Sequence, residues 1–290
     1  MMKIKKNFLI LSIVAVVMLS ISGLIAYCYW GLPTRIELKN NSIDENSNHI
    51  ILKNSRLLWD TGASGSVLFE DFSQDKTLLG LSIISDYSYK FKIKKMFFTH
   101  NITIGNIVIR NFIYTKIDTE KAESILMATD DSGILGMNVI GNYNWLLDFE
   151  ENILQNFDKT YKYNDLPALV LKYTSKRYPF STIQIDKIRI KKILIDSGFN
   201  TDIRLLKSDI DEINKNITPD TIIEGSSNSL FSDSIPHREY IYTNIKINNV
   251  VFDSISIIES NRPLIGIGFF RKFDRVFWDS GNREVRFYRD

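Results

Sequence analysis

Short apolar runs alternate with polar turns along most of this 290-residue chain, a pattern that predicts mainly β-strands. Two stretches, NITIGNIVIRNFIYTKI (101–117) and NIKINNVVFDSISII (244–258), alternate apolar and polar positions on either side of a tight turn. Because Gly-Asn at 105–106 and Asn-Asn at 248–249 favour such turns, each stretch predicts a β-hairpin. Short helices are predicted at 208–214 and near 139–143.

Two further apolar runs end in a matching tripeptide. RLLWDTGAS contains Asp60 and KILIDSGFNT contains Asp196, and each aspartate is followed by a hydroxyl residue and a glycine. In each case one of the hairpins follows, and after it an apolar-apolar-glycine step, at 134–136 and at 264–266. Such a repeat predicts one fold that is duplicated within the chain, with two equivalent carboxylates in a shared active site.

The same tripeptide occurs twice more, at Asp131 and Asp279, where it heads no repeat unit. When the two units are aligned, WLLD (145–148) near the end of the first unit matches VFWD (276–279) in the second. Asp279 is therefore the counterpart of Asp148. Both are interpreted as turn residues at the end of a strand. Asp131 is interpreted as a loop residue that leads into the strand at 134–136.

At these residues the chain resembles the aspartic peptidases of the pepsin and retropepsin clan, over roughly 57–288. LLWDTGAS is similar to the retroviral-type catalytic loop, SGILGMNVI to the strand beneath it, and LIGIGFFRKFDRVFWDSGNREVRFY to the closing segment of pepsin-like second lobes. The resemblance implies a mainly β, bilobal acid-protease fold with a pseudo-twofold repeat. Ala63 matches the retropepsin choice, whereas Phe199 stands where pepsin-like chains usually have a hydroxyl.

The resemblance also implies the chemistry. Asp60 and Asp196 would share one proton, because like charges at close range raise one pKa strongly, and together they would activate a water without a metal or cofactor. Tyr87 or Tyr89 would reach the cleft from a flap between residues 86 and 98. Residues 225–234 hold the equivalent position in the second unit and are interpreted either as a second flap or as an ordinary flexible loop. The residues expected to support the two loops are Thr61, Gly62, Ser64, Ser197 and Gly198.

The N-terminus contains an apolar run from Phe8 to Trp30 that is long enough to cross a bilayer. Lysines at positions 3, 5 and 6 precede it, which predicts that the first residues stay in the cytoplasm. The run is longer than a typical signal-peptide core and lacks a clean cleavage site, so an uncleaved single-pass anchor is predicted. Lipidation of Cys28 is disfavoured because Tyr27, not a small residue, precedes it.

Composition limits the kinds of ligand and cross-link that the chain can have. The net charge of +2 gives no reason to expect nucleic-acid binding, and the histidines lack metal-ligand spacing. Cys28 is the only cysteine, which excludes an intramolecular disulfide. Lysines at 90, 92 and 94 alternate with Tyr89, Phe91 and Ile93, which predicts a strand whose lysine face is in water.

Three segments are therefore expected: a cytoplasmic stub and anchor at 1–32, a first lobe at 33–163 and a second lobe at 164–290. The expected protein is a monomeric, membrane-anchored aspartic endopeptidase that cleaves a polypeptide outside the cytoplasm. One alternative is a catalytically inactive module that binds a peptide in the same cleft. Another is a glycosidase with a carboxylate pair, which would need a wider carboxyl separation.

The anchor predicts a testable topology. In intact bacterial spheroplasts, added protease should digest the part of the chain that follows Trp30, because the lysines before the anchor hold only the N-terminal stub in the cytoplasm. Immunoblotting against a C-terminal tag measures this digestion, with a cytoplasmic protein as the control for intact membranes. Digestion only after lysis would contradict the predicted topology.

Overall fold

The computed structural model describes residues 32–39, 42–85, 90–117, 131–229 and 232–289. The predicted anchor, Cys28, Tyr87 and Tyr89 lie outside these residues. Within the described ranges, no helix combines the length and the apolar character needed to cross a membrane. The described chain is mainly β, as the alternating pattern predicts.

The first half of the chain forms one sheet. Its strands are β1 (Arg35–Leu38), β2 (Ile51–Leu52), β3 (Leu57–Trp59), β4 (Ser66–Leu68), β5 (Thr77–Ser85), β6 (Phe91–Ile104), β7 (Ile107–Lys116) and β8 (Gly133–Leu135). Their order is β2-β3-β8-β4-β7-β6-β5, and β1 pairs with β7. Strand β3 runs parallel to β8, and β4 runs parallel to β7.

The second half repeats this arrangement. Its strands are β12 (Phe180–Ile185), β13 (Ile188–Ile195), β14 (Ile203–Leu205), β15 (Thr221–Ser229), β16 (Ser232–Ile247), β17 (Val250–Glu259) and β18 (Leu264–Ile265). Their order is β12-β13-β18-β14-β17-β16-β15, which is the order of the first sheet with every label raised by ten. The parallel pairs also recur, as β13 with β18 and β14 with β17. The internal repeat predicted from the sequence is therefore present in the fold.

A third sheet, the joint sheet, contains strands from both halves. Its strands are β9 (Asn144–Asp148), β10 (Ile153–Phe157), β11 (Leu169–Lys172), β19 (Arg275–Asp279) and β20 (Glu284–Tyr288), in the order β10-β9-β19-β20-β11. The pairing of β9 with β19 places Trp145 opposite Trp278. The segment between the halves thus contributes β11 to the joint sheet, while the exact boundary at residue 163 stays a prediction.

The local predictions agree with these elements. Both predicted hairpins are confirmed, because β6 turns into β7 at 105–106 and β16 turns into β17 at 248–249. The helices are α1 (Met137–Ile140), α2 (Lys207–Asn214) and α3 (Ile267–Phe270). Helices α1 and α2 match the two predicted segments to within two residues at their N-terminal ends, and α3 follows the second apolar-apolar-glycine step as α1 follows the first.

One prediction about the β5–β6 hairpin is wrong. Along β6, Phe91 and Ile93 are exposed, while Lys92 and Lys94 are only half-exposed. Residues opposite each other in an antiparallel pair share a face, and Lys92 lies opposite Ile84, which packs against the buried cluster that contains Leu58 and Val67. The lysines at 92 and 94 therefore occupy the inner face of the hairpin, and the outer face is apolar.

Three tryptophans pack where the joint sheet meets the first half. Trp59, Trp145 and Trp278 are fully buried, and the Trp59 ring lies edge-on to the other two, with centroid distances of 6.1 Å and 5.8 Å. Edge-to-face contacts of this kind are favourable for aromatic rings. Because Trp59 immediately precedes Asp60, this packing fixes the start of the first aspartate loop against strands from both halves.

Replacing Trp278 by alanine should lower the free energy of unfolding by about 3–5 kcal/mol, because it removes a large buried side chain and leaves a cavity. Urea denaturation followed by circular dichroism measures the change. The matched control is Val251→Ala on the exposed face of β17, which should change stability by no more than about 0.5 kcal/mol. Equal effects of the two substitutions would contradict this account of the core.

Candidate active site

Equivalent backbone contacts position the two aspartate loops. Asp60 follows β3, and its backbone N–H donates to the Leu135 carbonyl at 3.0 Å. Asp196 follows β13, and its N–H donates to the Ile265 carbonyl at 2.8 Å. Each loop therefore follows the first strand of an equivalent parallel pair, β3 with β8 in the first half and β13 with β18 in the second. The two aspartates occupy equivalent positions as a result.

Two buried hydroxyls tie the loops to each other. The Thr61 hydroxyl donates to the Ile195 carbonyl at 2.9 Å, and the Ser197 hydroxyl donates to the Trp59 carbonyl at 2.8 Å. Each hydroxyl oxygen also accepts the backbone N–H of the other residue, both at 3.0 Å. The bonds are reciprocal, so the loops meet with approximate twofold symmetry and Asp60 comes next to Asp196.

Only glycine fits at positions 62 and 198, because the opposite carboxyl occupies the space that a side chain would need. A Cβ atom on Gly62 would lie 2.2 Å from Cγ of Asp196, and one on Gly198 would lie 2.6 Å from Cγ of Asp60. Neither glycine has a positive φ angle, so the conformational freedom of glycine is not the reason for its presence here. Any side chain would instead overlap the carboxylate of the opposite loop.

The two carboxyls have unequal hydrogen-bond support. Oδ1 of Asp60 accepts the backbone N–H groups of Gly62 at 2.7 Å and Ala63 at 3.1 Å. Oδ1 of Asp196 accepts the N–H of Gly198 at 3.1 Å, while the N–H of Phe199 donates to the backbone carbonyl of Asp196. Each carboxyl lies against the glycine of the opposite loop, so the two carboxyls are close neighbours.

This asymmetry separates the two protonation equilibria. Burial raises the pKa of Asp196 well above its ordinary value, and the adjacent Asp60 carboxylate raises it further. Burial also raises the pKa of Asp60, but the N–H groups of Gly62 and Ala63 oppose that rise by stabilising the ionised form. The arrangement therefore favours an ionised Asp60 beside a protonated Asp196.

Phe199 packs against a neighbouring strand, whereas the hydroxyl residue expected from the resemblance would hydrogen-bond within its loop. Its ring lies 4.7 Å from the guanidinium carbon of Arg204, a fully buried side chain on β14. A cation over an aromatic face is a favourable contact. Phe199 thus packs the second loop against β14, and polar support for the Asp196 carboxyl comes from Gly198.

Ser66 is a supporting residue that the sequence reasoning missed. Its hydroxyl accepts the N–H of Gly136 at 3.0 Å and donates to Oδ1 of Asn138 at 2.8 Å. Asp202 holds the equivalent position of the repeat, and its backbone carbonyl accepts the N–H of Gly266 at 2.9 Å. A polar residue six positions after each aspartate was the available signal.

Ser64, which the sequence predicted as a support of the first loop, lines the cleft and forms no hydrogen bond within the described ranges.

A cleft of about 1730 Å³ opens above the two carboxyls, between the halves. This volume exceeds the roughly 300–1,000 Å³ of typical small-molecule sites and suits an extended polymer. Its walls include both aspartate loops and residues of both hairpins, at 82–85 and at 226–227. On the side of the second half, apart from Asp196, the acidic and basic residues that line it are Lys176, Arg177, Asp202, Arg204, His237, Glu239 and Arg262.

The other two aspartate tripeptides lie away from the cleft. Asp279 is buried at the end of β19, accepts the backbone N–H of Asn282 at 2.8 Å and pairs with Arg286 at 3.2 Å. Asp131 pairs with Arg56 at 3.1 Å just before β8. Both positions agree with the interpretation of these residues as structural.

Comparisons with known proteins show distant similarity only. No family model and no curated protein match the chain. Similar solved structures include conglutin gamma, a basic 7S globulin from lupine seeds, at 11% identity and a TM-score of 0.49, covering 81% of this chain and 87% of that one. A retropepsin-like aspartic protease from Rickettsia conorii has 13% identity and a TM-score of 0.30, covering 44% and 97%. Both likenesses are too distant to assign an activity.

The raised pKa of Asp196 predicts a pH effect on stability. The folded protein binds a proton at Asp196 more tightly than the unfolded chain does, so stability falls as pH rises from about 4 through the raised pKa. Asp196→Asn removes this loss, and the variant should gain melting temperature over the wild type between pH 4 and pH 8. Thermal melts across that range measure the gain.

The control for this experiment is Asp253→Asn, a change at an exposed residue of β17. The difference between this control and the wild type should stay constant with pH. An Asp196→Asn difference that is equally constant would show that the carboxyl is not held in its protonated form.

Proposed function

We propose that this protein is an aspartic endopeptidase of the pepsin and retropepsin clan, in which Asp60 and Asp196 form the catalytic pair. The observation that carries the proposal is the placement of these two carboxyls side by side in a large cleft, each against the glycine of the opposite loop, with the loops tied by reciprocal Thr61 and Ser197 hydrogen bonds. A shared proton needs carboxyls at this range, because their charges must repel strongly enough to keep one of them neutral.

The unequal support of the two carboxyls assigns their roles. The ionised Asp60 takes a proton from a bound water as the water oxygen bonds to the peptide carbonyl carbon, and Asp196 donates its proton to the carbonyl oxygen. A neutral diol intermediate results. Asp60 then passes its proton to the amide nitrogen as the C–N bond breaks, and Asp196 recovers a proton from a diol hydroxyl. Both carboxyls return to their starting states.

The cleft supports a polypeptide substrate in an extended form. It runs between the hairpins of both halves, whose strands offer backbone groups to an extended chain. One chain supplies both aspartates, so a monomer is sufficient for activity. In the proposal the cleft lies outside the cytoplasmic membrane, and the apolar run from Phe8 to Trp30 is its anchor.

The inactive peptide-binding module remains the second candidate. It is favoured by one observation, that Phe199 stands in place of a hydroxyl and Asp196 Oδ1 receives only the Gly198 N–H among backbone donors within the described ranges. The glycosidase alternative has less support, because its two carboxyls are typically about 5 Å or more apart, whereas each carboxyl here lies against the glycine of the opposite loop.

Substitution of either aspartate separates an enzyme from a binding module. Asp60→Asn and Asp196→Asn should each lower peptide cleavage by about 10²-fold or more, because base and acid belong to one coupled pair. Mass spectrometry of a peptide library incubated with the full chain in detergent measures cleavage. Asp253→Asn is the matched control and should retain activity.

A peptide whose secondary hydroxyl mimics the tetrahedral intermediate should inhibit the wild type, because the site is complementary to the transition state. Undiminished cleavage in Asp196→Asn would contradict the paired mechanism. Binding of library peptides by the wild type without any cleavage would identify the protein as the inactive module.

A further inference from the structure

The outer face of the β5–β6 hairpin is apolar and open to solvent. Leu81, Ile83, Phe91 and Ile93 are 69%, 71%, 68% and 60% exposed. Ile83 pairs with Ile93, and Phe91 lies one pair further along the same face, so the four side chains form one continuous surface. Contiguous exposed apolar surface of this kind marks an interaction site in most soluble domains. We call these four residues the hairpin face.

Basic side chains lie at both ends of the hairpin face. Lys90 and Lys95 are exposed at its two ends, and Lys92 and Lys94 lie half-exposed on the opposite side of the same strand. No acidic residue occurs in β5 or β6. An apolar surface with lysines at its edge is the composition that adsorbs to anionic lipid headgroups, through apolar burial and electrostatic attraction.

The chain enters the described structure at the edge of the same cleft. Leu32 to Thr34 line the cleft, as do residues 82–85 of the hairpin, which include Ile83 of the hairpin face. This entry segment is fixed to the first sheet, because the Thr34 hydroxyl donates to the Asn111 carbonyl at 3.0 Å and the Asn111 side chain donates to the Pro33 carbonyl at 3.3 Å. Trp30, the last residue of the apolar run, precedes Leu32 by two positions, at most about 7 Å of chain.

We propose that the hairpin face lies against the bilayer that holds the apolar run from Phe8 to Trp30. The short connection at Leu32 keeps the cleft edge close to the lipid surface, and the hairpin face with its lysines supplies a second point of attachment. The cleft then opens beside the membrane. This proposal rests on the proposed function for its consequence, that the substrates are segments of polypeptide close to a membrane surface.

A second copy of the chain fits the hairpin face less well. Contact between like faces in a twofold dimer would bring the lysines at positions 90 and 95 of both copies together, and like charges in an interface oppose association. A lipid headgroup layer of negative charge has no such conflict. The charge pattern therefore favours a membrane over self-association.

Fluorescence quenching tests the position of the hairpin face in the full chain. Cys28→Ser removes the single cysteine, and Ile93→Cys then carries a solvent-sensitive fluorophore. The chain is reconstituted in vesicles of phosphatidylcholine and phosphatidylglycerol with a quencher on the upper acyl chain. The matched control carries the fluorophore through Leu166→Cys, at a residue that is 93% exposed and distant in sequence from the hairpin.

The fluorophore at position 93 should be quenched by the lipid quencher several-fold more strongly than the one at position 166, and aqueous iodide should show the reverse order. Equal quenching at the two positions would overturn the proposal. A blue shift at position 93 that grows with protein density, without lipid quenching, would overturn it in favour of a second copy.

The readout is independent of catalysis. Lipid quenching in a chain that cleaves no peptide would reject the proposed peptidase while retaining the membrane contact. Where cleavage is observed, a peptide tethered to the vesicle should be cut several-fold faster than the same peptide free in solution. Equal rates for the two would overturn the proposed class of substrate.

Discussion

The site depends on two hydroxyls that are buried between the halves of the molecule. Thr61 and Ser197 each donate to a backbone carbonyl of the opposite loop and accept its N–H, so both satisfy their hydrogen bonds only when the two loops meet. A buried polar group without a partner costs about 1–3 kcal/mol, so separation of the loops would be penalised on both sides. This mutual dependence holds Asp60 and Asp196 in contact.

The joint sheet makes that contact rigid. Strands β9 and β19 come from different halves yet pair along their length, and Trp145 and Trp278 pack against Trp59 directly before the first aspartate. A change in the angle between the halves would disturb a close-packed aromatic core, which tolerates little movement. The cleft can therefore change mainly at its hairpins, while the carboxyl pair at its bottom stays in place.

Small departures from symmetry determine what the pair can do. A fully symmetric site would leave the shared proton equally on both carboxyls. Here Asp60 accepts N–H groups from Gly62 and Ala63, while the N–H of Phe199 points to a backbone carbonyl instead of the Asp196 carboxyl. The repeat therefore brings the groups together, and the unequal loops favour the proton on Asp196.

The amino-acid sequence by itself determined the repeat, both hairpins, two of the three described helices and the equivalent loop positions of the two aspartates, because strand period, turn residues and repeated order can be read along the chain. Tertiary structure alone decided the rest. Carboxylates from the opposite half fill the space beside Gly62 and Gly198 and so exclude any side chain there. The hydrogen bond between Ser66 and Gly136 joins residues that are far apart in the chain. The alternation of Phe91, Lys92 and Ile93 shows a strand with two unlike faces, but only the packing of Ile84, opposite Lys92, against the core decides which face is inside.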